Sequence, residues 1–343
     1  MFLTLKELRH EKIKFSALSL IIFLIVFLVL FITGLANGLA NDSGSAIKET
    51  PAQTFILQKG SQSRLNRSNL TNSDWDKFKS SNAAKLSVTQ ATIQKAANKD
   101  KKTDIAYFIT DKDSFLAPKK QSGEKIYASS KLQASGYKVG DKFKDSNTNK
   151  TFTIAGFTDK ESYSHSPVIY LTFKQAQGIT MSNSFNAIAL KKNLTKKSGY
   201  QVITKQNLID NIPGYSAEQS SLYLMIGFLY VISLFVLAVF FYIINLQKMR
   251  DFGTLKALGT KTSYLVKHVL SEMGILSGVA IILASLVTYF IQLKMPASMP
   301  FSLSFSTLLA TGLLFLVIAL LSALLSLIKV IKVDPINAIG GNN

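Results

Sequence analysis

The chain has 343 residues, 48% of them hydrophobic, a formal charge of +19 and no cysteine. Without cysteine it has no disulfide, no thiolate nucleophile and no thiolate set for an iron–sulfur cluster. Its apolar residues are concentrated in one early run and three late ones, which rules out an ordinary water-soluble globule.

Residues 1–14 are predicted to be a basic amphipathic segment carrying Lys6, Arg9, Lys12 and Lys14. The first apolar run covers 15–40, and between Phe15 and Gly34 its only polar side chains are Ser16, Ser19 and Thr33. That run reaches the roughly 20 residues a helix needs to cross a bilayer. It is longer than the roughly 7–15 residues of a cleaved signal core, so a retained anchor is predicted despite the small residues around Ala40. Phe23, Phe27 and Phe31 repeat at a spacing that puts them along one side of this helix.

Residues 41–217 form the long polar stretch, with 27 Lys and Arg against 14 Asp and Glu. It is long enough for its own core. Its positive charge suits anionic lipid and wall polymers better than a nucleic acid, which is not expected as a partner. Strands are predicted at Thr54–Leu57, Ile105–Ile109, Lys125–Ala128, Gly136–Phe143, Thr151–Phe157, Val168–Phe173 and Ala187–Leu190, separated by Gly, Asp and Asn turns. Asp74–Lys102 reads as polar and helix-rich. The expectation is an α+β domain with a barrel-like or sheet-rich half.

Three further spans are predicted at 218–246, 269–293 and 304–331. A basic segment, 247–268, separates the first two of these, a short loop, 294–303, the last two, and 332–343 form a tail. The fold class is thus four transmembrane α-helices, one plus three, with a large α+β domain between the first and second. Short loops rich in Lys and Arg stay in the cytoplasm. Lys248, Arg250, Lys256, Lys261 and Lys267 lie between the second and third spans, and Lys329 and Lys332 near the end, against only Lys294 in the short loop. Both termini are therefore expected in the cytoplasm and 41–217 outside. The localisation is a multi-pass plasma-membrane protein, most simply in a Gram-positive cell.

Catalytic patterns are poor. The histidines are His10, His165 and His268, with no His-Glu-x-x-His zinc pattern and no Gly-x-Ser-x-Gly elbow. Gly253 to Thr262 imitates a phosphate loop, but five residues separate the glycines and Thr260 precedes Lys261. A phosphate loop needs four, with lysine directly after the second glycine. No enzyme activity, metal site or resident cofactor is expected; ATP hydrolysis, if it powers the protein, belongs to another chain.

Three features have readings of their own. Asp251–Leu258 is predicted as a short helix with Phe252, Leu255 and Leu258 on one face and Gly259 as its C-terminal cap. Such a knob suits either a cleft on a partner or the membrane surface. Gly34-x-x-x-Gly38 and Gly274-x-x-x-Gly278 allow close helix contact, within one chain or between two copies. Glu272, at the start of the third span, is a functional candidate by position or an interfacial acid paired with Lys267 or His268.

The segment Lys248–Lys261 (KMRDFGTLKALGTK) closely resembles the cytoplasmic signature of the FtsX/MacB-type ABC-transporter permeases. The tail Lys332–Ile339 (KVDPINAI) is similar to that family's ending, and the one-plus-three topology is the same. Gly136–Phe143, Ile154–Phe157, Tyr163–Val168 and Ile212–Gln219 resemble the haem-efflux permeases of HrtB type. The resemblance implies a homodimer of permeases working with an ABC ATPase subunit to export haem as transported substrate. It makes 247–268 the ATPase-coupling segment, with Arg250, Phe252, Gly253, Leu255, Leu258 and Gly259 as the contact set. Haem needs an apolar slot, an axial ligand and cations near its propionates. Tyr163, Tyr215, Glu218, Tyr223 and Met225 are the haem-binding candidates, with His165 on the same loop as Tyr163. Export of an antimicrobial peptide, lipid or drug, or an FtsX-like mechanotransmitter acting on a cell-wall hydrolase, are alternatives that keep the same fold.

Overall fold

The computed structural model describes residues 11–96, 98–118, 126–180, 184–296 and 299–331. Most of the amphipathic segment 1–14 and the tail 332–343, with its Lys332–Ile339 motif, lie outside the described residues. The helices are α1 (Lys12–Lys48), α2 (Asn72–Asp76), α3 (Lys131–Ala134), α4 (Lys205–Asp210), α5 (Tyr215–Gln247), α6 (Met249–Ala257), α7 (Thr262–Lys294) and α8 (Phe305–Ile331). The chain divides into a helical unit (Met1–Asn37, Ser221–Met295 and Phe301–Asn343) and a sheet domain (Gly38–Ser220 with Pro296–Pro300).

α1, α5, α7 and α8 are each long and apolar enough to cross a membrane. Three of the helices, α1, α5 and α7, outrun the spans predicted for them. At about 1.5 Å per residue, the 37 residues of α1 exceed a hydrocarbon core of roughly 30 Å. α1 stays helical through the polar residues from Asn41 to Lys48, and α7 begins at Thr262, ahead of its apolar run. The core of the helical unit joins Ile22, Val26 and Leu30 of α1 to Phe241 of α5, Val269 and Met273 of α7, and Phe315 and Ala319 of α8. Outward faces remain apolar, with Phe228, Phe235, Ile282, Phe290 and Leu313 exposed, as lipid-facing positions require. Between helices, Asn245 donates to Ser326 Oγ at 2.8 Å and Ser322 Oγ to the Leu234 carbonyl at 2.9 Å.

Phe23 stacks on Phe27 with centroids 6.1 Å apart, and Phe27 leads to Phe31 at 6.0 Å. The row ends on Phe301, 5.4 Å from Phe31. The segment preceding α8 is clipped to α1 there: the Ser302 N–H donates to the Gly34 carbonyl at 2.9 Å. A Cβ on Gly34 would overlap the Phe301 ring and meet Leu303 Cγ at 2.9 Å. Gly34 therefore serves packing within the chain, one of the two uses its spacing allowed. Gly278 faces open space.

The domain strands are β1 (Thr54–Gln58), β2 (Leu70–Thr71), β3 (Ala83–Lys95), β4 (Asn98–Thr110), β5 (Ile126–Ser129), β6 (Lys142–Asp145), β7 (Thr151–Thr158), β8 (Ser162–Tyr163), β9 (Ser166–Thr172), β10 (Ser184–Phe185), β11 (Ala187–Leu190) and β12 (Tyr200–Thr204). The main sheet runs β12-β1-β11-β3-β4-β9-β5-β7-β6, and β3 also pairs with β6. That pairing closes β3, β4, β9, β5, β7 and β6 into a six-stranded barrel, the barrel-like half expected from the sequence. Its interior holds Ile93, Ile105, Tyr107, Phe143, Ile154, Ile169 and Leu171. Asp145 is buried against it, accepting from the Thr148 N–H at 2.7 Å and from Tyr107 Oη at 3.2 Å. A second core, with Phe55, Leu57, Leu86, Phe108, Val168 and Tyr170, packs on Ile47 of α1 and Leu208 of α4.

Two local predictions fail. The helix expected in Asp74–Lys102 stops after α2, and β3 and β4 take the rest. Val88, Thr92 and Ile93 are β-branched, and the run pairs with β4 from Ser87↔Ile109 to Ile93↔Thr103. Long-range pairing outweighs the polar, lysine-rich composition that suggested helix. Gly136–Phe143 is mostly turn rather than strand: Gly136 and Gly140 both have φ of +88°, and only Lys142 and Phe143 enter β6.

Substituting Gly34 tests the clip. Gly34→Val should lower the stability of the purified protein by about 1–3 kcal/mol, the range for overpacking. Gly278→Ala should be tolerated. Thermal unfolding in detergent measures both, and equal midpoints for the two variants would show that the Phe301 contact is dispensable.

Candidate functional site

The sheet domain gathers ionisable side chains at the hairpin joining β8 to β9. The pairing Tyr163↔Ser166 leaves Ser164 and His165 as its two-residue loop, with φ of +48° and +61°. Mirror-type hairpin turns require positive φ at both loop positions, where Asn-Gly is usual. Two residues with full side chains hold this geometry at a cost, and such strain clusters at functional sites.

What holds the turn is the polar end of α1. The Ser164 N–H donates to the Ser43 carbonyl at 2.8 Å and the His165 N–H to the Asp42 carbonyl at 3.2 Å. The Ser162 N–H donates to Ser45 Oγ at 2.9 Å. The imidazole then meets three groups. Its Nε2 lies 2.9 Å from Ser43 Oγ and 3.2 Å from Glu218 Oε2, and its Nδ1 lies 3.5 Å from Asp42 Oδ2. Lys131 of α3 pairs with Asp42. One half-exposed imidazole thus stands between two carboxylates, with an ammonium behind one of them. Chemically the knot offers a ring nitrogen, carboxylate oxygens and a cation within a few ångströms.

The haem-binding candidates fall in different places. Tyr163 is buried, edge-on to Phe108 with centroids 5.8 Å apart, and borders a 330 Å³ cavity beside Ser164 and Asn186. Burial pushes its phenol above the ordinary range. Tyr215 is half-buried against the domain core, and Glu218 meets His165. Tyr223 and Met225 lie further along α5, within the helical unit, and both are exposed. At about 100° per residue, Tyr223 and Met225 point about 160° apart around α5. His165, Ser43 and Lys131 belong to the cluster although the sequence singled out only His165. Ser-His between two strand-like runs was the available signal for the loop; nothing in sequence marked Lys131.

α6 forms as predicted, with corrections. Lys248 is its N-cap and Asp251 lies in its first turn, where a negative charge suits the helix dipole. At the other end Gly259, at φ +90°, donates to the Lys256 carbonyl at 2.9 Å, and the Thr260 N–H donates to the Leu255 carbonyl at 3.0 Å. Together these form a Schellman cap. Phe252 and Leu255 pack on the helical core, but Leu258 is 78% exposed. The three do not share a face, because a helix turns Leu258 about 120° away from Phe252. Phe252 and Gly253 are buried and serve as the anchor, while Arg250, Leu258 and Gly259 are on the surface.

Glu272 is fully buried, and it forms an ion pair at 2.7 Å with Lys248, a partner that its position in the sequence did not suggest. The Lys248 ammonium also lies 5.0 Å from the Phe15 ring centroid. Sequence spacing concealed this pair because the partners are 24 residues apart, on either side of α6.

Residues 223–335 match the family described as FtsX-like permease C-terminal. Along 99% of its length the chain is 35% identical to a Staphylococcus haemolyticus protein named "Putative hemin transport system permease protein HrtB", also covered to 99%. A protein of the same name from Staphylococcus epidermidis is 30% identical, with 99% of each chain covered. Among solved structures, the chain is similar over 48% of its length to the periplasmic region of MacB from Actinobacillus actinomycetemcomitans, of which 94% is covered (11% identity, TM-score 0.35). It is similar over 44% to the extracellular domain of the ABC-type transporter YknZ from Gram-positive bacteria, of which 98% is covered (13% identity, TM-score 0.31).

The Lys248–Glu272 pair gives a test that does not depend on cargo. Glu272→Ala leaves a buried ammonium without its carboxylate, which should cost about 3–5 kcal/mol. Replacing both, as Lys248→Met with Glu272→Leu, should restore most of that stability. Detergent melting of the single and double variants measures the coupling, and additive losses would show that the two charges do not depend on each other.

Proposed function

The chain belongs to the HrtB-type, FtsX-like permeases, and we propose that it is the membrane subunit of an ABC-type efflux system that exports haem, powered by a separate ATPase. The full-length 35% identity to the HrtB protein carries this reading. In this arrangement both termini and α6 lie in the cytoplasm, the sheet domain lies outside, and two copies of the permease pair with the ATPase subunits.

Haem is a flat, largely apolar substrate with anionic propionates and an iron that accepts nitrogen, oxygen or sulfur ligands. A pump taking it from the outer leaflet needs its ligands at the outer ends of the spans. Tyr163, Tyr215, Glu218, Tyr223 and Met225 are the proposed binding residues. Glu218 offers a carboxylate in the sheet domain, and Tyr223 and Met225 offer exposed side chains on the helical unit. Tyr163 has a buried, raised-pKa phenol, so as an iron ligand it would first give up its proton and its place in the core. His165 is held by Glu218 and Asp42 and supplies an imidazole beside Glu218.

Coupling follows from α6. A short helix with a rigid Schellman end and an exposed Leu258 suits insertion into a cleft of the ATPase, while Phe252 carries the push into the helical core. Arg250 and Gly259 flank the exposed end. The exposed residues make contact, and the buried ones transmit.

Two measurements test the proposal. Titrating the purified full-length chain with haem should give a shifted Soret band. Glu218→Ala or Met225→Ala should diminish the shift by about tenfold in affinity, the loss of one strong ligand contact, while Glu272→Gln leaves it intact. No shift in the wild-type chain, with unchanged haem tolerance in cells lacking it, would transfer the reading to a peptide, lipid or drug. Separately, Leu258→Asp should leave the melting temperature unchanged yet abolish co-purification with the ATPase. Retained association and export would remove the coupling role of α6.

A further inference from the structure

The sheet domain is strongly basic, yet one of its cavities is acidic. It encloses about 660 Å³ and is lined by carboxylates from three places: Glu49 just beyond α1, Asp159 just beyond β7, and Glu161 two residues later. Its apolar surface includes the rings of Phe115, Tyr127 and Tyr170. The volume lies within the roughly 300–1,000 Å³ of small-molecule sites.

The details favour a positive guest. Glu161 is partly buried and faces Glu49 and Asp159; the Tyr170 phenol and the Thr158 hydroxyl both donate to it. Burial first, and then the two neighbouring carboxylates, hold its carboxyl above the ordinary range. A cation entering here would relieve the like-charge repulsion among these carboxylates. The aromatic wall already accepts an ammonium, because Lys191 sits 4.8 Å from the Phe115 ring centroid. Lys205 approaches the same rim and points its ammonium at the Lys48 and Thr50 carbonyls. Rings with nearby carboxylates are the chemistry that recognises alkylammonium groups. An anionic porphyrin is a poor match for this lining, so the cavity is separate from the proposed haem ligands.

We propose that this cavity is a second binding site of the sheet domain, selective for a small organic cation that carries an apolar body.

The probe is benzyltrimethylammonium, titrated into the purified full-length chain in detergent and followed by calorimetry, with benzyl alcohol and benzoate as neutral and anionic controls. The expected result is saturable binding of the ammonium compound only, weakened by added salt. Asp159→Asn keeps the fold because that side chain is exposed. It should weaken binding by about tenfold, as should Glu161→Gln, the loss of one charged partner. Tyr127→Ala should weaken it as well, through the lost ring face. Haem titration of the same variants should be unchanged, which separates this site from the efflux reading. Equal uptake of all three probes, no binding of the ammonium, or unaltered affinity in Asp159→Asn and Tyr127→Ala would each overturn the proposal.

Discussion

The helical unit is organised around one buried charge pair. Lys248 and Glu272 are both shielded from water, and each would be costly alone in an apolar surrounding. Lys248 ends α5 and starts α6; Glu272 belongs to α7; and the Lys248 ammonium lies over Phe15 of α1. A single ammonium therefore fixes the junction of four helices. α6 cannot move away from the unit without exposing its N-cap charge or separating it from its carboxylate. That constraint, more than the apolar packing of Phe252, makes α6 a rigid element.

The sheet domain follows a comparable rule. Its polar cluster is stable because each member has a counterpart: Asp42 has Lys131 and His165, and Glu218 has His165. The strained Ser164–His165 loop is held by carbonyls of α1. An otherwise unfavourable turn thus becomes the means of placing an imidazole. The second, acidic cavity differs, because three carboxylates are gathered in one lining.

Much of the architecture is legible in the sequence. The four spans can be read because runs of about 20 apolar residues are rare outside membrane-crossing helices. The barrel strands with clear alternation, such as Ile105–Ile109 and Thr151–Phe157, lie where expected. β3 escapes such a reading because its lysines and glutamines fall on both faces, Gln90 exposed and Lys85, Gln94 and Lys95 half-buried, and so break the alternation of a strand whose other neighbours are far away in sequence. Gly136–Phe143 misleads because Tyr137, Val139 and Phe143 imitate the alternation of a strand while Gly136 and Gly140, both at φ +88°, put the chain into turns. The Lys248 partner of Glu272 and the place of Lys131 depend on tertiary contacts, which no local spacing encodes. Approximate periodicity puts Leu258 on a buried face; the actual helix turns it outward.

The pairing of β1 with β12 has a consequence for assembly. These are the domain's first and last strands, in register from Thr54↔Thr204 to Gln58↔Tyr200. The two ends of the inserted segment therefore meet side by side, the arrangement that makes domain insertion tolerable. It also orders the folding. The barrel can close once β6 and β9 have emerged, but the outer sheet lacks its last strand until residue 204 has arrived. In a chain threaded from its first residue, the central barrel is complete before the sheet, and β1 must wait through nearly the whole domain for its partner.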